Sequence, residues 1–389
     1  MGSLGGTATG NARELWQPNK EPIRLWLDCD TGHDDAFAIL LAAHCPAVEL
    51  LGISTVHGNA HLEHTTYNTR AVLKAINRED VPVVAGASKP FCREPTFASS
   101  VHGETGLHGT PGLPTPTPIP MKRNTSAVEE MYRALKAQEP NTAYLVATGS
   151  LTNIALLFAL YPDLADHIRG LSIMGGGIGD NFANLVAGSA NPEHIEEPGN
   201  TTAWAEFNIY CDPEAARAVF SNPKLAEKTM LIPLDLTHQM LATPDVMHYL
   251  RYGTASSNGA SGDQGQVSPT RQLFSEILSS FAKSYAELCG LAGPPLHDPL
   301  AVAICFVPNV FDDRGGERFA VDVVTDGAHP HSLDECADEK TSQCGRTVAK
   351  LLPKGSAGVC IPRTLDVALM WQIIQLCLDK AENGGSEAL

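Results

Sequence analysis

Short apolar runs alternate along the chain with longer segments whose apolar positions recur at helical spacing. IRLWLD precedes DDAFAILLAAH, VELLGISTV precedes HLEHTTYNTRAVLKAIN, and TAYLVAT precedes SLTNIALLFALY. GLSIMGG precedes DPEAARAVF across a long loop, TMLIPLD leads to a helix opened by Pro244, and RTLDVALMWQIIQLCLDKA closes the pattern as a helix. Strand runs that are apolar at successive positions are buried on both faces, and β-then-α repetition joins strands in parallel. The pattern predicts an α/β fold with a mostly parallel central sheet flanked by helices, Rossmann-like in plan. In such sheets ligands sit beyond the carboxyl ends of the strands. DCDTGHDD, VHGN, ATGSLTN and MGGG all fall there.

Polar insertions separate these units. Residues 86–125 contain SSVHGETGLHG and PGLPTPTPIP, 177–203 are rich in Gly and Asn, 251–270 have the composition of a mobile lid, and 329–345 read as a peripheral excursion. No repeat or linker breaks the series, so residues 21–389 are expected to form one catalytic domain behind a flexible polar tail, 1–20.

Charge narrows the ligand. The 389 residues carry 44 acids against 27 bases, a net −17. That argues against nucleic acid or an anionic membrane as partner and favours a small neutral molecule or a cation. No window has the apolar length of a membrane span. The opening MGSLGGTATGNARELWQPNK lacks the core of a secretory signal, and Gly6 stands where a myristoylation motif needs Ser or Thr. A cytoplasmic protein is expected. The ten cysteines form no CxxC pair, as suits reduced core thiols.

The densest chemistry is LDCDTGHDD, which crowds Asp28, Asp30, Asp34 and Asp35 between a strand and an apolar helix. A helix N-terminus favours an anion by only about 1 kcal/mol, too little for several carboxylates together. A hard divalent cation such as Ca²⁺ or Mg²⁺, which prefers oxygen ligands, answers the need; zinc would normally bring Cys or His. The alternative is a plain helix cap by Asp34 or Asp35. A DxDx[TV] phosphatase fits poorly, because Thr31 comes one residue early and Gly32 takes its place.

Three further sets are ambiguous alone. Glu206 and Asn208, two apart in an extended segment, could grip hydroxyls together with Asn200, or Asn could merely shape loops. Asn59 shares that ambiguity, and Asn153 reads as a turn or helix-start residue. In PPLHDP, Asp298 could cap a helix or ligate a cation, and His297 could be a proton donor or an ordinary polar group.

LDCDTGHDDAFAI, ISTVHGN, VHGETGLHG, TGSLTNIA, IMGGG, AEFNIYCDPEAA and PPLHDP occur in this order. Together they resemble the nucleoside N-ribohydrolases of the inosine–uridine-preferring group, its fungal uridine-hydrolase-like branch in particular, from about Pro22 to near Lys380. The resemblance implies that Asp30, Asp35 and Asp298 bind Ca²⁺ with the main-chain oxygen of Thr148. It implies that Asp34 is the general base on the attacking water. Asn59, Asn200, Glu206, Asn208 and, through the metal, Asp298 would hold the ribose, with Met174 lining the pocket. His297 would sit beside the leaving base and His102 on a loop closing over it. Tyr285, in the helix before the HD turn, is a candidate donor to pyrimidine leaving groups.

The implied reaction is hydrolysis of ribonucleosides to base and ribose in nucleoside salvage, by a homo-oligomer, a dimer before a tetramer. This chain departs from the family at Thr31, where Pro is usual, in the insertion LVAGSANPEHIEEP before Asn200, and in the long 251–270 loop. A non-catalytic ribose- or nucleoside-binding protein and a structural Ca²⁺ protein are the alternatives. The first has no need of a spare Asp34, and the second would bind its ion without regard to sugar.

Overall fold

The structure is a computed structural model that describes residues 21–118, 126–179, 182–183, 198–253, 267–289, 293–329 and 342–383. The 1–20 tail and much of the 177–203, 251–270 and 329–345 insertions, namely residues 184–197, 254–266 and 330–341, therefore lie outside the described residues. Six strands, β1 (Ile23–Cys29), β2 (Val48–Thr55), β3 (Val83–Ala85), β4 (Ala143–Ala147), β5 (Gly170–Met174) and β6 (Thr229–Ile232), form a sheet in the order β3-β2-β1-β4-β5-β6. Every pairing is parallel.

Side-chain alternation along β1 divides the core. Leu25, Leu27 and Cys29 pack with the helices Asp35–His44, Pro269–Cys289, Asp298–Ala303 and Val367–Glu382. Trp26 points to the opposite face, towards the helices Ala127–Lys136, Thr152–Leu160 and Pro213–Phe220. Helices on both faces explain why apolar side chains occupy both sides of β1. Helix Asp35–His44 is buried at every position, as suits the unbroken apolar run Ala36–Ala43 between Asp35 and His44.

The strand order reverses between β1 and β4, which register Asp28 against Ala147. A crevice opens at the carboxyl ends where successive crossovers diverge. The acidic turn after β1 and Thr148 after β4 meet there, joined by Thr148 N–H donating to the Asp28 carbonyl at 2.8 Å.

Beyond Cys305 the strands cease to be parallel. Phe319–Val323 pairs antiparallel with Thr347–Leu351, and Phe311–Asp312 with Thr364–Leu365. The 329–345 segment, read as a peripheral excursion, connects the first of these pairs, and its residues 330–341 lie outside the described residues. No disulfide links the described cysteines. No described helix is long and apolar enough to cross a membrane.

Candidate active site

The turn after β1 is built around its own carboxylates. Asp35 Oδ2 accepts Gly32 N–H at 2.8 Å and Asn59 Nδ2 at 3.1 Å, while its Oδ1 accepts Thr148 Oγ1 at 2.9 Å. Asp30 Oδ2 accepts Asn59 N–H at 2.7 Å, and the same Asn59 amide reaches Asp30 Oδ1 at 3.3 Å. Asp34 sits at the helix cap position but makes no capping bond. Asp298 likewise does not cap its helix, whose cap position is His297; its carboxyl hydrogen-bonds to those of Asp34 and Asp35. Ligand oxygens of Asp34, Asp35 and Asp298 lie within 4.8 Å of one another.

These groups are buried, and no ion pair among the described residues reaches them. Burial first, and the neighbouring Asp35 charge second, push the Asp34 carboxyl up to about 8. The same two causes hold Asp30 well above its ordinary value, and burial with the charges of Asp34, Asp35 and Asp30 does so for Asp298. Without a positive charge the cluster keeps protons, and carboxyl–carboxyl hydrogen bonds are what such protons make. An all-oxygen donor set of this charge fits a hard divalent cation.

A consequence is measurable. From about pH 4 to about pH 8 the folded chain holds protons at Asp34 that the unfolded chain has released. Stability of the cation-free protein therefore falls as pH rises through that window. The thermal midpoint of chelator-treated protein is expected to drop across it. A hard divalent cation, Ca²⁺ or Mg²⁺, at about 100 times its Kd should add about 2.7 kcal/mol, with the largest gain at the alkaline end. A midpoint indifferent to both pH and the cation contradicts the site.

A cavity of about 370 Å³ opens over the cluster. One wall carries polar groups at the ends of β4, β5 and the loop before residue 207. Asn208 Nδ2 donates to the Thr148 carbonyl at 2.9 Å and lies 3.3 Å from Met174 Sδ. Glu206 accepts three main-chain N–H groups, from Gly176 at 2.8 Å, Asn208 at 3.0 Å and Ile209 at 3.1 Å. Asn200 lies at the rim, its Oδ1 accepting Phe207 N–H at 2.9 Å. The segment is not extended as expected: Glu206 caps the short helix Phe207–Cys211, and this turn is what brings Asn208 over Thr148.

The opposite wall is aromatic. His297 Nδ1 lies 2.7 Å from Thr237 Oγ1 and its Nε2 lies 2.9 Å from Tyr285 Oη. Burial drives the His297 pKa well down, and His238 adds to this, so the ring is neutral. His102 ends the short helix Ser99–His102 and is buried, with its Nδ1 3.0 Å from His33 Nδ1. Phe281 lies beside both rings.

The sequence pattern of the inosine-uridine preferring nucleoside hydrolases matches residues 25–372. The chain belongs to that family. A uridine nucleosidase of Saccharomyces cerevisiae is 39% identical over 282 residues, 72% of this chain and 75% of that protein. The pyrimidine-specific ribonucleoside hydrolase RihB of Escherichia coli is 34% identical over 365 residues, covering 92% of this chain and 97% of the other. Among solved structures, a purine-preferring ribonucleoside hydrolase from Gardnerella vaginalis superposes with a TM-score of 0.70 at 25% identity, over 92% of this chain and 99% of that one.

In this nucleoside hydrolase the cavity walls include Asp34, Asn59, His102, Thr148, Met174, Asn200, Glu206, Asn208, His297 and Asp298. Asp30 and Asp35 stand behind them, tied in through Asn59. Sequence reasoning named Asp28 and read Asn153 as a turn or helix-start residue, and Asn153 does stand in the first turn of helix Thr152–Leu160, but the bonds that join the two were not foreseen. Asp28 is fully buried, bonded to Ser54 Oγ and, at 2.8 Å, to Asn153 Nδ2; burial pushes its carboxyl up to about 7. Asn153 also bonds Thr55 and Ala87, so it ties β1 to β2 and shapes no pocket. Thr237 and His33 were missed as well. His33 lies inside the acidic motif and was the more findable of the two.

Proposed function

We propose that this chain hydrolyses the N-glycosidic bond of ribonucleosides, releasing free base and ribose, with Ca²⁺ as its cation. The observation that carries the reading is the buried set Asp34, Asp35 and Asp298, placed under a cavity with amides on one wall and ring donors on the other. A nucleoside-binding protein gains nothing from crowding three carboxylates where its ligand's hydroxyls would suffice.

Asp30, Asp35, Asp298 and the Thr148 carbonyl are the proposed ligands. Bound there, the cation would supply Lewis acidity and positive charge beside the attacking water. Asp34 accepts the proton of the attacking water. Beside a positive charge its carboxyl returns to the ionised form that this task needs.

Asn59, Asn200, Glu206 and Asn208 hold the ribose hydroxyls; the three N–H bonds on Glu206 fix its carboxylate without using all its lone pairs. Met174 packs beside the sugar. Glycosidic cleavage builds positive charge on the ring, and the carboxylate floor stabilises it. Negative charge grows on the base, where the neutral His297 and Tyr285 are the donors at hand.

Uridine is the first substrate to try, because the relatives above include a uridine nucleosidase and a pyrimidine-specific hydrolase. Salvage and a homodimer complete the proposal and rest on the family resemblance, and a cytoplasmic location rests on the reading of the cysteines as reduced thiols. The test is release of reducing sugar from uridine, cytidine, inosine, adenosine and 2′-deoxyuridine, with and without chelator. Ribose is expected from at least one ribonucleoside, chelator should abolish it, and 2′-deoxyuridine should be slower by about 10²-fold or more, since buried polar groups lose their partner. Release of no sugar from any of them leaves only a binding protein.

A further inference from the structure

Asn68 has no part in the chemistry above. It sits on the helix Leu62–Ala75, and its buried side-chain nitrogen donates to the main-chain carbonyl of Thr31 at 3.0 Å and to that of Thr105 at 2.7 Å. A carbonyl oxygen can only accept, so the end of the amide that faces both is its NH₂, with one partner for each hydrogen. The two carbonyls belong to different parts of the site. Thr31 follows the proposed ligand Asp30, and the peptide that carries its carbonyl also carries the Gly32 N–H that binds Asp35 Oδ2 at 2.8 Å. A peptide group is planar, so holding its oxygen also aims its N–H. Thr105 comes three residues after His102, in the segment that supplies Ser100, Val101 and His102 to the cavity wall.

The backbone is shaped for this meeting. Gly106 has φ +82°, and a Cβ there would come 2.9 Å from Asn68 Nδ2 and 3.3 Å from the Thr31 carbonyl oxygen. A side chain at 106 would push the segment off the amide. A neighbouring bond offers a comparison. Thr69 Oγ1, on the same helix, lies 2.7 Å from Thr31 Oγ1, and that bond ties the same turn without involving the segment.

We propose that Asn68 is a positioning residue that couples the cation site to the segment over the cavity, so that order in one raises order in the other. With the amide in place, the Thr31–Gly32 peptide, Asp35 and residues 103–106 form one hydrogen-bonded unit. Removing it leaves two carbonyls without this donor and frees the peptide to turn its N–H away from Asp35. Such coupling is reciprocal: a cation that fixes Asp35 also steadies the segment, and a segment seated on the amide tightens the cation. The cation in this proposal rests on the reading of the carboxylate cluster given above; the tie between turn and segment does not.

The test joins amide hydrogen exchange over residues 103–109 with calorimetric Ca²⁺ titration, without nucleoside, in wild type, Asn68→Leu, Gly106→Ala and Thr69→Val. Leu is close to Asn in shape and donates nothing. In wild type, Ca²⁺ should slow exchange of the segment at least about threefold. In Asn68→Leu the chelator-treated segment should exchange at least about tenfold faster than in wild type, the scale of one lost buried bond. Gly106→Ala breaks the bridge from the segment's side and touches no carboxylate, yet it should weaken Ca²⁺ at least about threefold. Thr69→Val should leave segment exchange within about twofold of wild type.

Segment exchange unchanged in Asn68→Leu, or raised as much in Thr69→Val, overturns the proposal, and so does wild-type Ca²⁺ affinity in Gly106→Ala. Should Asn68→Leu fail to fold, Gly106→Ala decides by the same two measurements. Wild type that binds no Ca²⁺ would sink the Ca²⁺ reading, and exchange in the chelator-treated proteins would still decide whether Asn68 ties the turn to the segment.

Discussion

Asp34→Asn is expected to fold, to keep its cation and to lose about 10³-fold in turnover, the middle of the range for a positioned general base. Asn has the shape of Asp, and the contacts of Asp34 are ones an amide can copy. They are a hydrogen bond to the Asp298 carboxyl and one to the main chain of His297. What Asn cannot do is take a proton from water. KM for uridine should change little, because the ribose is held by Asn59, Asn200, Glu206 and Asn208; a fall in kcat at steady KM marks an interaction used after binding. Steady-state kinetics beside a Ca²⁺ titration check both halves. A variant within about tenfold of wild type would hand the proton to another group.

The plan of the fold was legible because short, mostly apolar strand runs alternate with helical segments, and such runs carry apolar side chains to both faces of a sheet. Knowing that ligands gather at carboxyl ends then brought Asp30, Asp34, Asp35, Asn59, Thr148 and Met174 to one edge before any coordinates. Two things were not legible. Local conformation at Glu206 was one: a two-residue spacing suits an extended face, yet its carboxylate captures the N–H groups of Asn208 and Ile209 and starts a helix. Long-range support was the other. Nothing near Asp28 in sequence announces that Ser54 and Asn153 will meet it, since those bonds span 26 and 125 residues. The same holds for Thr237 against His297, 60 residues apart. The antiparallel pair Phe319–Val323 and Thr347–Leu351 escaped for a related reason: its strands show mixed burial, and a polar excursion separates them.

Asp298→Asn is expected to weaken Ca²⁺ binding by about 10²-fold, near 2.8 kcal/mol, and to reduce kcat/KM on uridine at least as much when Ca²⁺ is scarce. Asp298 is a cleaner choice than Asp35. The Asp35 carboxylate also receives Gly32, Asn59 and Thr148, and its loss would strand buried donors at about 1–3 kcal/mol each. The bonds of Asp298 to Asp34 and Asp35 are ones a shared proton or a cation mediates, so removing its charge removes mainly its hold on the ion. Raising Ca²⁺ should restore part of the activity, as it cannot for Asp34→Asn. Calorimetric titration of chelator-treated protein separates the two. The three grouped carboxylates are alike in burial and spacing, and geometry alone does not say which of them is spared for water. Equal loss of Ca²⁺ in both variants would make Asp34 a ligand, and the base would have to be sought elsewhere on the cavity wall.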